Sequence, residues 1–248
     1  MKIFFLLGVA MGLASTVVHA QSALPEGLTG DVGAAVYATA ANVRGASHRS
    51  SFLPYVYADY QRVFARTDTF GVKTVALGSG YLELVGRVSQ EGYKADSPAL
   101  RGLHDRSTPV PLGIGTYQET PYGGFFVYAM HDVTSGGSLL EATYAAELAF
   151  SGWKIYPQIG IERRSAAYVQ HLYGVDADES ARSGVARYRA TASTVPVAGL
   201  AAELALGGPW HLLVQARRSW LDAAIRNSPL VASRSQNSGF VAVTYAFK

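Results

Sequence analysis

Few residues in this chain have the types and spacing that catalysis needs. The histidines beyond the N-terminal leader are His48, His104, His131, His171 and His211, and none forms a pair four positions apart or a His-Glu-x-x-His setting. That spacing brings two imidazoles to one helical face around zinc, so a zinc enzyme is not expected. No Gly-x-Ser-x-Gly is present to form a nucleophile elbow. Gly113-Ile114-Gly115 is too short to cradle a phosphate and lies in a candidate strand. Two adjacent pairs, His104-Asp105 and His131-Asp132, keep a hydrolytic reading open. Polar residues that only meet water would look the same in sequence. Catalytic, cofactor-binding and metal-binding residues are therefore expected to be absent, and the chain is not expected to be an enzyme.

What the chain does space regularly is charge. The residues expected to point into an interior are Glu83, Arg87, Glu141, Glu147, Lys154, Glu162, Arg164, Glu203 and Arg217. From Trp153 onward, Trp153, Ile155, Pro157, Ile159 and Ile161 share one face, and Lys154, Tyr156, Gln158, Glu162 and Arg164 the other. Leu140, Ala142, Tyr144, Ala146, Leu148 and Phe150 likewise oppose Glu141, Thr143 and Glu147. A period of two is the mark of a strand with two unlike faces. Hydrophobic residues make up 49% of the chain and charged ones 16%, yet after the leader no apolar run reaches the length of a spanning helix. Apolar content without long apolar runs is what a transmembrane barrel requires, since lipid-facing and lumen-facing residues alternate. A soluble β-sandwich would alternate too, but it needs no aromatics at lipid spacing. Trp210 and Trp220 supply that spacing: ten residues of strand, tilted by about 45°, rise roughly 23 Å, close to the apolar band of about 25 Å between two aromatic girdles. Trp153, Tyr245 and Phe247 are the other expected girdle residues, and Arg218 breaks the apolar face only near a rim.

Candidate strands fall at 28–38, 52–59, 61–66, 70–76, 80–91, 112–119, 123–133, 138–149, 153–166, 188–205, 210–221 and 237–247. The expected fold is thus all-β, a transmembrane antiparallel β-barrel of twelve strands, with ten as the alternative because the third and fourth are weak. Long connections (39–51, 92–111, 167–187 and 222–236) alternate with tight ones around Gly78, Pro121, Gly152 and Gly207-Gly208. Long loops outside and short turns toward the periplasm is the asymmetry of such barrels. The ends agree. Lys2 followed by an apolar run from Ile3 to Leu13, then Val18-His19-Ala20, reads as a cleaved signal peptide over 1–20, leaving 21–248 as the barrel domain. No cysteine follows the run, which excludes a lipoprotein. The terminal Val241, Val243, Tyr245 and Phe247 alternate as in a last barrel strand, although Lys248 follows the aromatic. With 21 basic and 18 acidic residues, the formal charge of +3 is too balanced to imply nucleic acid.

One loop is more specific. Tyr173-Gly174-Val175, then Glu179-Ser180-Ala181-Arg182-Ser183-Gly184-Val185, then Tyr188, resembles the best-known stretch of the MipA/OmpV family. Leu53-Pro54-Tyr55 with Asp59-Tyr60, His131-Asp132-Val133 with Gly136-Gly137, and Asn227-Ser228-Pro229-Leu230-Val231 also look like family segments. Over 92–111 only Leu100 and Gly102 follow the pattern. The resemblance implies a Gram-negative outer-membrane barrel reached through the periplasm, in contact with lipid and lipopolysaccharide. It also implies protein partners, a lytic murein transglycosylase and a penicillin-binding synthase, for which the barrel is a scaffold. Read physically, Asp176 or Asp178 can cap a short helix holding Glu179 in its first turn and ended by Gly184. Such a motif loop (Tyr173, Gly174, Glu179, Arg182, Ser183, Gly184, Tyr188) either folds over the barrel mouth, meets a partner, or merely closes a long loop. Two readings compete with the scaffold: a narrow channel or small-solute binder, and a rim enzyme. Inward charges of mixed sign, which can pair, favour a narrow or closed lumen.

Overall fold

Residues 23–247 are described by a computed structural model; the leader expected over 1–20 lies outside them. The strands are β1 (Leu28–Thr39), β2 (Arg49–Tyr60), β3 (Val63–Arg66), β4 (Thr69–Leu77), β5 (Gly80–Arg87), β6 (Pro111–Thr120) and β7 (Gly123–Asp132). They continue as β8 (Ser138–Ala146), β9 (Leu148–Phe150), β10 (Trp153–Arg164), β11 (Ser193–Gly207), β12 (Trp210–Trp220) and β13 (Ser235–Phe247). Both β8 and β9 pair with β10 in one register, with Gln158 opposite Ala145 and Ile155 opposite Leu148, so the thirteen segments make twelve staves. Neighbours are antiparallel all round, and β1 pairs with β13 to close the sheet. Closure matters because lipid offers no partner for a backbone N–H or C=O, so a spanning sheet must leave no edge.

The alternation sorts residues as a lipid-facing barrel demands. Val36, Val214 and Val241 look outward at 41–49% exposure, while Ala242 and Thr244, one step away along β13, are at most 1% exposed. Trp153, Trp210, Trp220 and Tyr245 all lie on the outer surface, with Trp210 set edge-on against Tyr245 at 5.3 Å and Trp153 stacked on Phe150 at 4.7 Å. Phe247 ends β13 half-buried. Inside, Phe64, Val85, Tyr128, Met130 and Leu139 form an apolar cluster across the lumen. Gly115 permits it: a Cβ there would meet the Tyr128 ring at 2.0 Å.

Several strand ends differ from the sequence expectation by a few residues, and three of them have a clear local reason. The fifth strand stops at Arg87, not 91, because Val88 donates its N–H to the Asp68 carbonyl at the tip of the neighbouring hairpin. The strand expected over 153–166 stops at Arg164, where Ser165 caps α1 (Ala166–Tyr173) by accepting the Tyr168 N–H. That helix was not foreseen, nor was α3 (Ala223–Arg226). The strand expected from 188 begins at Ser193, because Tyr188 pairs with Val175 instead. The motif-loop helix is α2 (Ala177–Ser183), and Asp176 caps it.

Candidate functional site

The two ends of the lumen differ. On the long-loop side, α1, α2, α3 and the loops around them pack over the mouth. Val43, Leu100, Tyr168, Leu172, Ile225 and Leu230 belong to one apolar core contributed by four separate connections. Such a core forms because each loop carries a few apolar residues that only the others can cover. Among the described residues, nothing caps the short-turn side. A cavity of about 870 Å³ opens there among Tyr55, Tyr57, Tyr117, Tyr156 and Phe240, and its lining reaches Thr120, Pro121 and Gly123 at a turn.

The motif loop is the fastening of the cap. Asp176 accepts the Glu179 N–H at 2.7 Å, and Glu179 returns a bond to the Asp176 N–H at 3.1 Å, a capping box. Glu179 is 1% exposed and also accepts the His104 N–H at 2.9 Å and the Arg106 guanidinium at 2.8 Å. Burial pushes its carboxyl up, but these N–H groups and Arg106 outweigh it and hold Glu179 below the usual carboxylate range. Arg182 donates to the Gly102 carbonyl at 3.2 Å, and a Cβ on Gly102 would meet the Arg182 backbone at 2.9 Å. Leu100 lies in the cap core. So the two residues of 92–111 that follow the family pattern are ones that this cap needs. Gly174 offers its carbonyl to Arg106 at 2.8 Å, and Ser183 bonds the Glu179 carbonyl at 2.6 Å. Tyr188 reaches the Ala224 carbonyl at 2.8 Å. Tyr173 accepts from Asn42 at 2.9 Å, and burial together with the Glu91 carboxylate pushes its phenol up to about 12. Gly184 ends α2 at φ 72°, a left-handed conformation that suits glycine.

Between cap and cavity runs a belt of charge. Arg87 pairs with Glu141, and Arg217 lies 3.9 Å from Glu141 and 2.6 Å from Glu162. Arg164 bridges Glu162 and Glu91, each at 2.7 Å, and Glu91 accepts the Tyr168 hydroxyl of α1. Arg66 and Glu83 form a separate two-bond pair at 2.9 and 3.0 Å. Four guanidiniums thus face four carboxylates, mostly dry. Desolvating either sign alone would cost several kcal/mol, so matching and bidentate geometry are what make the arrangement tolerable. The other expected inward charges, Glu147, Lys154 and Glu203, line the open cavity instead. Lys154 bonds Glu147 at 3.0 Å, and Tyr156 donates to Glu203 at 3.0 Å.

Sequence reasoning missed Arg66 and left Glu91 outside the candidate set; Arg66 lies on the shortest full stave, where four residues give too little period to read. It also missed the cavity residues Asp31 and Glu119. The rim pairs do not form dyads. Asp132 spends its carboxylate on the N–H groups of Val110 and Ser135, at 2.6 and 2.8 Å, while adjacent His131 is exposed. Asp105 accepts the Ala95 N–H at 2.8 Å, and His104 faces Arg182 at 2.6 Å.

The family model described as "MltA-interacting protein MipA" matches residues 32–247. The MltA-interacting protein of Escherichia coli (strain K12) is 27% identical over 150 residues, which are 60% of this chain and 60% of that protein. The match therefore spans about three fifths of that relative's length. The putative outer membrane protein YiaT of the same strain is 24% identical over 206 residues, 81% of this chain and 82% of that protein. Among solved structures, OmpTdeltaL8, a loop L8 deletion mutant of OmpT from Vibrio cholerae, aligns over 88% of this chain and 99% of its own at 8% identity, with a TM-score of 0.33. An anion-selective porin from Comamonas acidovorans aligns over 89% and 98% at 13% identity, with a TM-score of 0.31. Matched by the family model from within β1 to the end of β13, this outer-membrane barrel belongs to the MltA-interacting protein MipA family.

Proposed function

We propose that this chain is a non-enzymatic interaction protein of the cell envelope, docking murein-remodelling enzymes at its periplasmic end. One observation carries the reading: the outer mouth is packed shut by an apolar cap and a charge belt, while the opposite mouth is a cavity of about 870 Å³. A closed outer face serves no uptake, whereas a cup open to the periplasm can take a segment of a partner. This also answers a geometric difficulty, since two-residue turns such as 121–122 and 208–209 offer little surface of their own. A lytic murein transglycosylase fits the name of the relative, and a penicillin-binding synthase fits the wider family pattern; lipid and lipopolysaccharide surround the wall. The test is capture of partners from solubilised envelopes, with the folded barrel as bait and an unrelated barrel of similar size as control. Selective recovery of a murein hydrolase or synthase is expected; recovery of nothing beyond the control would remove the reading.

A narrow channel is the second reading, favoured by one observation. The large cavity and a smaller one of about 200 Å³ beneath the cap share Thr67, Gln215 and Phe240 in their linings, so they are neighbours separated by those side chains. Planar-bilayer recordings separate the two: the scaffold reading expects no sustained conductance, and a large steady one would favour the channel.

A further inference from the structure

The wall of the barrel is not equally tall all round. Stave β3 has four residues, and its hairpin with β4 turns at Thr67-Asp68 while β2 runs on from Tyr55 up to Arg49. The ladder between β2 and β3 spans Tyr57 to Tyr60, and no described strand pairs with the upper part of β2 on that side. Thr67 donates its N–H to the Val56 carbonyl at 2.8 Å. Because backbone groups alternate in direction along a strand, the even-numbered residues of β2 are those that turn their N–H and C=O toward the gap. The first of them above Val56 is Pro54, which has no N–H to leave unpaired. The next is Phe52, whose side chain is 75% exposed.

This gap lies at the height of the apolar band. Val88, Val110 and Leu112, which follow on the far flank, point outward at 44–56% exposure. Its lower edge is the Asp68 carbonyl, bonded to the Val88 N–H at 2.8 Å, and its upper edge is Arg49 reaching across to the Gln90 carbonyl at 2.7 Å. Directly behind it is the cavity of about 200 Å³, lined on the near side by Thr67, Asp68, Val88 and Ser89 and on the far side by Gln215 and Arg217. Arg217 is the least buried guanidinium of the interior, 28% exposed against 6–13% for Arg66, Arg87 and Arg164. Its nearest carboxylate, Glu162, engages one terminal nitrogen.

We propose that the gap between β2 and Val88-Gln90 is a lateral portal, through which a single-chain carboxylate amphiphile passes its headgroup from the outer leaflet to Arg217 while its tail stays in lipid. Apolar flanks suit the tail, and a planar fork of donors suits a carboxylate. The cap closes the direct route from outside, so a lateral route is the one left to a lipid-borne molecule. The portal is independent of the docking reading and would stand if partner capture failed.

The test places a reporter in the cavity. The three outward tryptophans are replaced (W153F, W210F, W220F), Y37W is introduced in the cavity lining, and the protein is folded into phosphatidylcholine vesicles. Dodecanoate brominated next to its carboxylate is the quencher, and an equally brominated dodecyl trimethylammonium the control. Saturable quenching by the carboxylate alone is expected, weakened about tenfold by R217Q and abolished by S89W, which fills the portal and leaves Arg217 in place. Equal quenching by both headgroups would overturn the proposal, as would undiminished quenching in S89W, whether or not R217Q folds.

Discussion

The two mouths of this barrel are built from the same staves, yet they handle polar groups in opposite ways. At the outer mouth, Glu179 and Glu162 are nearly dry and each satisfies several donors. At the inner mouth, Lys154 and Glu147 make a single bond with both side chains 44% exposed. Connection length decides which regime applies. Loops of nine or more residues carry enough apolar side chains to exclude water from the charges beneath them, and two-residue turns do not. The same ion pair is therefore structural at one end and nearly free to rearrange at the other, which suits a fixed lid above an accommodating cup.

The largest expected break in that contrast comes from Glu162→Gln. It leaves Arg164 and Arg217 short of a shared counter-charge in a dry site, at a cost of about 4 kcal/mol, read as a lowered midpoint of urea unfolding in vesicles. Ile225→Ala follows, since Ile225 is 0% exposed in the cap core; the loss is about 3 kcal/mol, and limited proteolysis should then cut the cap loops before the barrel. Gly184→Ala should cost about 1 kcal/mol, because φ is 72° and nothing crowds an added Cβ; a larger loss would mean that the site is also packed. At the inner mouth, Lys154→Gln should change stability by about 0.5 kcal/mol or less; a loss near that of Glu162→Gln would erase the contrast. The mildest probe is acid. Glu179 is held below its ordinary 4.5 in the folded protein, so its contribution is complete above pH 4.5 and is lost as pH falls through the lower folded-state value. Protection against hydrogen exchange, relative to the intrinsic rate at each pH, should fall in α2 over that interval while it stays constant in β12.

Much of this architecture was legible in the residues. The outward Trp210 and Trp220, the inward Glu83 and Glu162, and the helix from Asp176 to Gly184 all follow from spacings of two to eight along one segment. Strand ends were less legible where a loop partner sets them. Val88 looks like more strand until Asp68 claims its N–H, and Tyr188 looks like the start of one until Val175 pairs with it. The helices α1 and α3 carry little amphipathic pattern of their own. They form because the cap core gives Val169, Leu172 and Ile225 a place to be buried.

The chain by itself determined the face each side chain takes, which connections are long and which tight, and a count of twelve staves with ten as the alternative. All three are set by local alternation and turn chemistry, which neighbouring residues carry. Only the tertiary structure decided which charges meet, that the outer mouth is shut, and where the wall falls short. Arg164 finds Glu91 across 73 residues and Tyr168 finds the same carboxylate across 77. Such partners are chosen by barrel closure and by the packing of loops over its mouth, which bring distant segments face to face in a way that no period along a single strand encodes.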